Sequence, residues 1–173
     1  MFFDMDSPPE HSSTAPRAAP EPVLVSACLL GRACTYKGGD NRDRALEAQL
    51  ARDGLEPVPF CPEESGGLST PRPAANLTAS AADVLDGAGR VVSIHGDDVT
   101  EAFRAGAERA LERCRARGIQ RAFLKERSPS CGCAATHVNG VPVPGRGVTA
   151  ELLERSGVRC EGIEGRRAAP GTD

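Results

Sequence analysis

Cysteine is the residue in this chain best suited to unusual chemistry, and seven are present. Cys28, Cys61 and Cys131 each follow a short apolar run: Pro22–Ala27 ends at Cys28, Glu56–Phe60 leads straight into Cys61, and Ala122–Leu124 runs toward Cys131. If these runs are parallel strands, their carboxyl ends share one edge of a sheet, where open α/β sheets bind ligands. Turn-forming Gly31, Pro62 and Gly132 stand close behind the three cysteines, and such turns let a backbone bend around a bulky inorganic group. Thiolate is the soft ligand that iron–sulfur clusters and zinc select. Three protein thiolates leave one position open, where a metal acts on water or substrate as a Lewis acid. The plainer alternative is three thiols that are simply buried beside turns.

The remaining cysteines divide. Cys114 falls on an apolar helix stripe and reads as core, and Cys160 reads as packing at a strand end. Cys34, in the first loop, and Cys133, two residues past Cys131, are candidates for an extra metal ligand. Neither the Cys28–Cys34 nor the Cys131–Cys133 spacing is the C-x-x-C of zinc ribbons and dithiol redox sites. Glu63, two residues after Cys61, would set a carboxylate beside the metal as a general base. Ser128, three residues before Cys131, could orient a water or substrate. Their simpler readings are a turn carboxylate and a Ser-Pro turn initiator. Tyr36 and Arg72 are the candidates for gripping a flat ring. His11, His95 and His137 stand alone in the leader or in turns, which favours structural roles.

Composition narrows the classes. Net charge is −3 and aromatics make up 3% with no Trp, so the basic surplus and stacking residues of a nucleic-acid binder are missing. The basic run from Arg109 to Arg127 reads as a solvated helix face, with a substrate phosphate contact as its alternative. No window approaches the roughly 20 apolar residues of a membrane span, and the first residues lack the pattern of a secretory signal. An odd cysteine count in a 173-residue chain argues against a disulfide framework. A reducing compartment, the cytoplasm, is therefore expected.

Elements that would position these residues alternate along the chain. After the strand before Cys28, Asp40 or Asn41 is placed to cap a helix carrying Leu46 and Leu50, closed by Gly54. The stretch Pro62–Leu77 reads as loop, and Arg90–Ile94 as a third strand. Asp98-Val-Thr-Glu101 has the form of a capping box before a helix whose stripe is Phe103, Ala107, Ala110, Leu111 and Cys114, ended by Gly118. Ala122–Leu124 follows as strand, Val141–Gly145 as extended chain, Val148–Ser156 as a helix capped near Thr149, and Val158–Cys160 as a short strand. This alternation predicts right-handed βαβ units, hence an α/β, Rossmann-like three-layer fold with a mostly parallel sheet. Residues 22–163 are expected to form one domain, with residues 1–21 as a disordered leader and 164–173 as a disordered tail.

Several strings stand in a suggestive order: Ser26-Ala-Cys-Leu-Leu-Gly31, Cys61-Pro-Glu63, Gly66-Gly-Leu68, Thr70-Pro-Arg-Pro73, Asp98-Val-Thr-Glu101, Lys125-Glu-Arg-Ser-Pro-Ser-Cys-Gly132 and Gly147-Val-Thr149. Together they resemble the bacterial thiouracil desulfidase family, long carried as a domain of unknown function, over roughly Pro22 to Cys160. The resemblance implies a [4Fe-4S] cluster held by Cys28, Cys61 and Cys131 only, its fourth iron open to the sulfur of a thiocarbonyl substrate such as a thiolated pyrimidine or thioamide. It also implies that Glu63 activates a water and Ser128 positions it, with no net redox change. Transient contact with cluster-assembly machinery goes with such a cofactor. The sequence departs from the family pattern after Cys131, where Cys133-Ala-Ala-Thr-His137 replaces a glycine-rich turn. Two other readings of the same residues are a non-enzymatic sensor or carrier, with Cys34 or Cys133 closing the fourth position, and a zinc hydrolase using the same three thiolates.

Overall fold

The computed structural model describes residues 18–171; most of the expected leader lies outside them. Continuous buried apolar runs, such as Val23 to Val25 and Ala122 to Leu124, build the central layer. Strands β1 (Glu21–Ser26), β2 (Leu55–Phe60), β5 (Arg121–Lys125) and β8 (Arg159–Ile163) form a sheet in the order β2-β1-β5-β8, with every pair parallel. Successive side chains of a strand face opposite sides. Val23 and Val25 accordingly pack with Leu46 and Leu50 of helix α1 (Arg44–Arg52), while Leu24 joins Leu111 and Cys114 of α4 (Thr100–Arg117) and Leu153 of α5 (Val148–Arg155). Helix layers therefore cover both faces, the three-layer α/β arrangement expected from the alternation.

The strand expected over Arg90–Ile94 is not in that layer. It is the shorter β4 (Val91–Ser93), antiparallel to β3 (Ala75–Leu77), in a second sheet ordered β4-β3-β6-β7 with β6 (Ala135–Val138) and β7 (Val141–Pro144). Nor is Pro62–Leu77 all loop: it holds the one-turn α2 (Pro62–Ser65) and β3. Leu77 and Val91 of this sheet, Val84 of α3 (Ala81–Leu85) and Phe103 of α4 make a separate small core.

Helix starts also differ from expectation. Asp43, not Asp40 or Asn41, caps α1, accepting from the Leu46 amide at 2.8 Å; Asp40 instead takes the Arg42 amide, and Asn41 turns toward Cys28. Before α4 the capping box is absent. The Asp98 carboxylate bonds the amide and hydroxyl of Thr100, and Glu101 points to solvent near Arg104. Thr149 lies inside α5 rather than capping it: Gly147 is the cap, and the first helical amides donate to the carbonyls of Pro129 and Ser130. Unpaired amides at a helix start need such acceptors, so α5 holds the loop that leads to Cys131.

Candidate metal centre

Cys61, Cys28 and Cys131 follow β2, β1 and β5, three neighbours in the parallel sheet. The chain leaves β1 toward β2 on one side and reaches β5 on the other, so the strand order reverses between β1 and β5, and a crevice at that reversal is where doubly wound sheets place their ligands. Here it is a cavity of about 370 Å³ lined by all three cysteines, a volume typical of small-molecule sites. Glu63, Ser128, Tyr36, Arg72 and Cys34 line it as well, whereas Cys133 does not.

Each side chain is placed by a local device. Cys28 lies in a single 3-10 turn (Ala27–Leu30) that Gly31 closes with a positive φ of 96°, a conformation glycine adopts without strain. The Asn41 amide reaches the Cys28 sulfur at 3.7 Å. Cys61 is the N-cap of α2, which sets Glu63 in its first turn, two residues further on. Helix α2 rests directly on α4: a side chain at Gly66 would run into the Ala102 carbonyl, and one at Gly106 into the carbonyl of Pro62. Cys131 sits in a loop knotted by Ser128, whose hydroxyl accepts from the amides of Ser130 (3.2 Å) and Cys131 (3.0 Å).

The three thiols differ in charge preference. Cys34, 2% exposed, stands within hydrogen-bonding reach of both Cys28 and Cys61. As donor it draws the Cys28 thiol below its ordinary range, against the opposing effect of burial. The same donor, helped by the Glu64 amide, holds Cys61 at about 7. Cys34 itself is pushed up by those two bonds. Burial pushes Cys131 up to about 12, although Ser26 and Ser130 offset part of it.

Beside the thiols runs a polar chain. Glu63 pairs with the Arg72 guanidinium at 3.4 Å, and its other carboxylate oxygen accepts from the Ser130 hydroxyl at 3.3 Å. Ser130 in turn lies 3.1 Å from the Ser128 hydroxyl. Arg72 is nearly buried and directs its remaining donors to the Cys34 carbonyl (2.8 Å), the Ser69 carbonyl and Thr70, so it braces Glu63 and the first loop. Tyr36 is 43% exposed at the rim. Ser130, Asn41 and Ser26 belong to the site although cysteine spacing alone does not announce them; the serine pair flanking Pro129 was the available signal. His137 also lines the cavity, with Nδ1 3.1 Å from the Arg127 carbonyl.

The basic run is largely engaged by the chain's own groups. Arg109 bonds the Ser65 carbonyl, Arg117 pairs with Glu56, and Arg113 lies over the Phe60 ring. Of the run, Lys125 and Arg127 reach the cavity lining.

The sequence model of the 2-thiouracil desulfurase family matches residues 23–163. The chain belongs to that family. The matched span contains Cys28, Cys61, Cys131, Glu63 and Ser128 as well as the newly placed Ser130. Among relatives of this 2-thiouracil desulfurase fold, a protein of Bacillus subtilis (strain 168), named uncharacterized protein YbbK, is 38% identical over 141 residues, which is 79% of this chain and 92% of that protein. A solved structure, the [4Fe-4S]-dependent thiouracil desulfidase TudS, superposes with a TM-score of 0.71 at 40% identity, over 82% of this chain and 90% of the other. Among the described residues, no helix is long and apolar enough to cross a membrane.

Proposed function

We propose that this protein is a non-redox desulfidase that replaces the sulfur of a small thiocarbonyl compound, such as a thiolated pyrimidine, with oxygen from water. The observation that carries the reading is the meeting, in one cavity, of three thiols from three adjacent parallel strands with Glu63 and Ser128. Family membership and the likeness to TudS support it. Cys28, Cys61 and Cys131 would hold a [4Fe-4S] cluster. The donor set suits it: all sulfur, on glycine- and proline-bounded turns, with two thiols already drawn toward thiolate, the form a metal requires. When bound, a cluster with three protein ligands supplies a soft Lewis acid with one open position.

The chain's own residues supply the rest. Glu63 takes a proton from the attacking water as the oxygen bonds to the thiocarbonyl carbon; Arg72 keeps the carboxylate aimed. Ser128 and Ser130 form a hydroxyl relay along which the Glu63 side of the cavity is oriented. Water and the thiocarbonyl compound become the carbonyl compound and hydrogen sulfide, with no electron gained or lost. The cluster would be loaded by cluster-assembly machinery in the cytoplasm.

Anaerobically prepared protein is the test. Iron and acid-labile sulfide near four per chain, with sulfide released from 2-thiouracil, is the expected result. Glu63→Gln should keep the iron and lose roughly 10²–10⁴-fold in rate, the usual contribution of a positioned base. Zinc in place of iron, or undiminished sulfide release by Glu63→Gln, would overturn the reading.

A further inference from the structure

Five of the seven cysteines are buried; the two that are not, Cys133 and Cys160, are neighbours. Cys160 is on β8, an edge strand of the parallel sheet, in register with Ala122 of β5. Its sulfur stands 4.0 Å from the Ala150 carbonyl, on the face that α5 covers. Gly162, two residues on, faces the same way. Cys133 fills the room that this glycine leaves: a Cβ at Gly162 would come within 3.3 Å of the Cys133 Cβ. The Cys133 sulfur is thereby brought within hydrogen-bonding reach of Cys160. Both side chains pack against the same apolar cluster, outside the cavity lined by Cys28, Cys61 and Cys131.

Two cysteines can be bridged when their side chains converge without backbone travel. Glu126 holds the two segments in that relation. Its carboxylate accepts from the Cys133 amide at 2.8 Å, and its own amide donates to the Ile163 carbonyl at 2.9 Å. A side chain at Gly162 would also run into that carboxylate, so the glycine admits both Glu126 and Cys133. Fixed proximity and partial exposure are what thiol–disulfide exchange requires. Cys34 has the proximity, toward Cys28 and Cys61, but all three are buried.

We propose that Cys133 and Cys160 form a reversible thiol–disulfide site, oxidised by low-molecular-weight disulfides such as glutathione disulfide, that ties the loop after Cys131 to edge strand β8. One protein thiolate attacks a sulfur of the small disulfide and expels one small thiol; the second cysteine then displaces the other. The small S–S bond breaks and the Cys133–Cys160 bond forms, and two electrons and two protons leave on two small thiols. The site uses none of Cys28, Cys61 or Cys131 and stands independently of the desulfidase reading.

Anaerobically prepared full-length protein, equilibrated with graded ratios of glutathione disulfide to glutathione, tests it. Remaining thiols are blocked with N-ethylmaleimide and peptides mapped with fragmentation that separates Cys133 from Cys131. Expected are the loss of two blockable thiols per chain, a Cys133–Cys160 linkage, and recovery of both thiols with dithiothreitol. Cys133→Ser and Cys160→Ser should each lose the linkage and keep a glutathione adduct on the remaining sulfur, because no second thiol displaces it. The oxidised parent should melt several degrees above the reduced parent, a difference absent from Cys133→Ser. No thiol loss, linkage among Cys28, Cys34 and Cys61 alone, or a stable glutathione adduct on Cys133 or Cys160 of the parent would overturn the proposal. Equal melting of the two forms would overturn the tether.

Discussion

The cysteines at the carboxyl edge of the parallel sheet and those beneath it share a side chain but not a chemistry. On the face of α4, Cys114 is surrounded by Leu24, Leu111 and Leu153, and burial alone pushes it up to about 11. A thiol in that setting is a small apolar group. At the edge, Cys28 and Cys61 are buried too, at 8% exposure each against 1% for Cys114, yet donors from Cys34, Asn41 and the Glu64 amide draw both downward. Burial therefore does not decide reactivity here; what faces the sulfur does. Cys131 belongs to the edge by place and to the interior by its upward shift, with Ser26 and Ser130 as its partial compensation.

Removing a ligand should break this contrast most sharply. Cys131→Ser is expected to abolish iron retention and sulfide release together, measured by metal analysis and turnover. Cys114→Ala and Cys133→Ser should retain the iron, with Cys114→Ala costing about 1–2 kcal/mol of stability in denaturant titration from the lost packing. Iron loss in Cys133→Ser would move that residue into the edge group.

A smaller effect is expected at Ser130, which touches both Glu63 and, at 3.6 Å, the Cys131 sulfur. Ser130→Ala removes one hydrogen bond to a charged group, worth about 1.5–3 kcal/mol, so the turnover rate should fall roughly 10–100-fold with the iron content unchanged. An unaltered rate would show that Glu63 is held adequately by Arg72 alone.

The smallest effect concerns the loop behind Cys131. Glu126 is buried, which raises its pKa, but the amides of Ala135, Ala134 and Cys133, all donating to one carboxylate oxygen at 2.8–3.0 Å, outweigh this and hold it below its ordinary 4.5. A carboxylate depressed on folding stabilises above its unfolded value and loses that contribution as pH falls through its folded value. Glu126→Gln should therefore lower the melting temperature at neutral pH, and the gap to the parent protein should narrow below pH 4.5. A gap that stays constant with pH would assign the loss to packing instead of charge.

Much of this edge was legible in the sequence because long-range order followed from local pattern. Apolar runs such as Pro22–Ala27 and Glu56–Phe60 needed a buried parallel layer, and the cysteines came directly after them. The second sheet was less legible. β3 and β4 have only three residues each, too few to show an alternation, and β6 crosses a stretch rich in glycine and alanine. Helix starts were ambiguous for a different reason. Asp40, Asn41 and Asp43 all have capping side chains, and the choice fell to whichever was not already engaged by Arg42 or Cys28. The relay through Ser130 depends on α5 gripping the Pro129 and Ser130 carbonyls, a contact that no local spacing encodes.

Residues 166 and 167, assigned by composition to a loose tail, fasten the first loop. Arg166 donates to the Asn41 side chain, and its amide to the Asn41 carbonyl; Arg167 reaches the buried Asp43 at 2.7 Å and accepts from the first amides of α1. Asn41 is the residue that meets the Cys28 sulfur. During synthesis, then, all seven cysteines leave the ribosome before the clasp that steadies the Cys28 loop exists. Full shaping of the Cys28 loop therefore waits on residues that follow every one of the thiols in the chain.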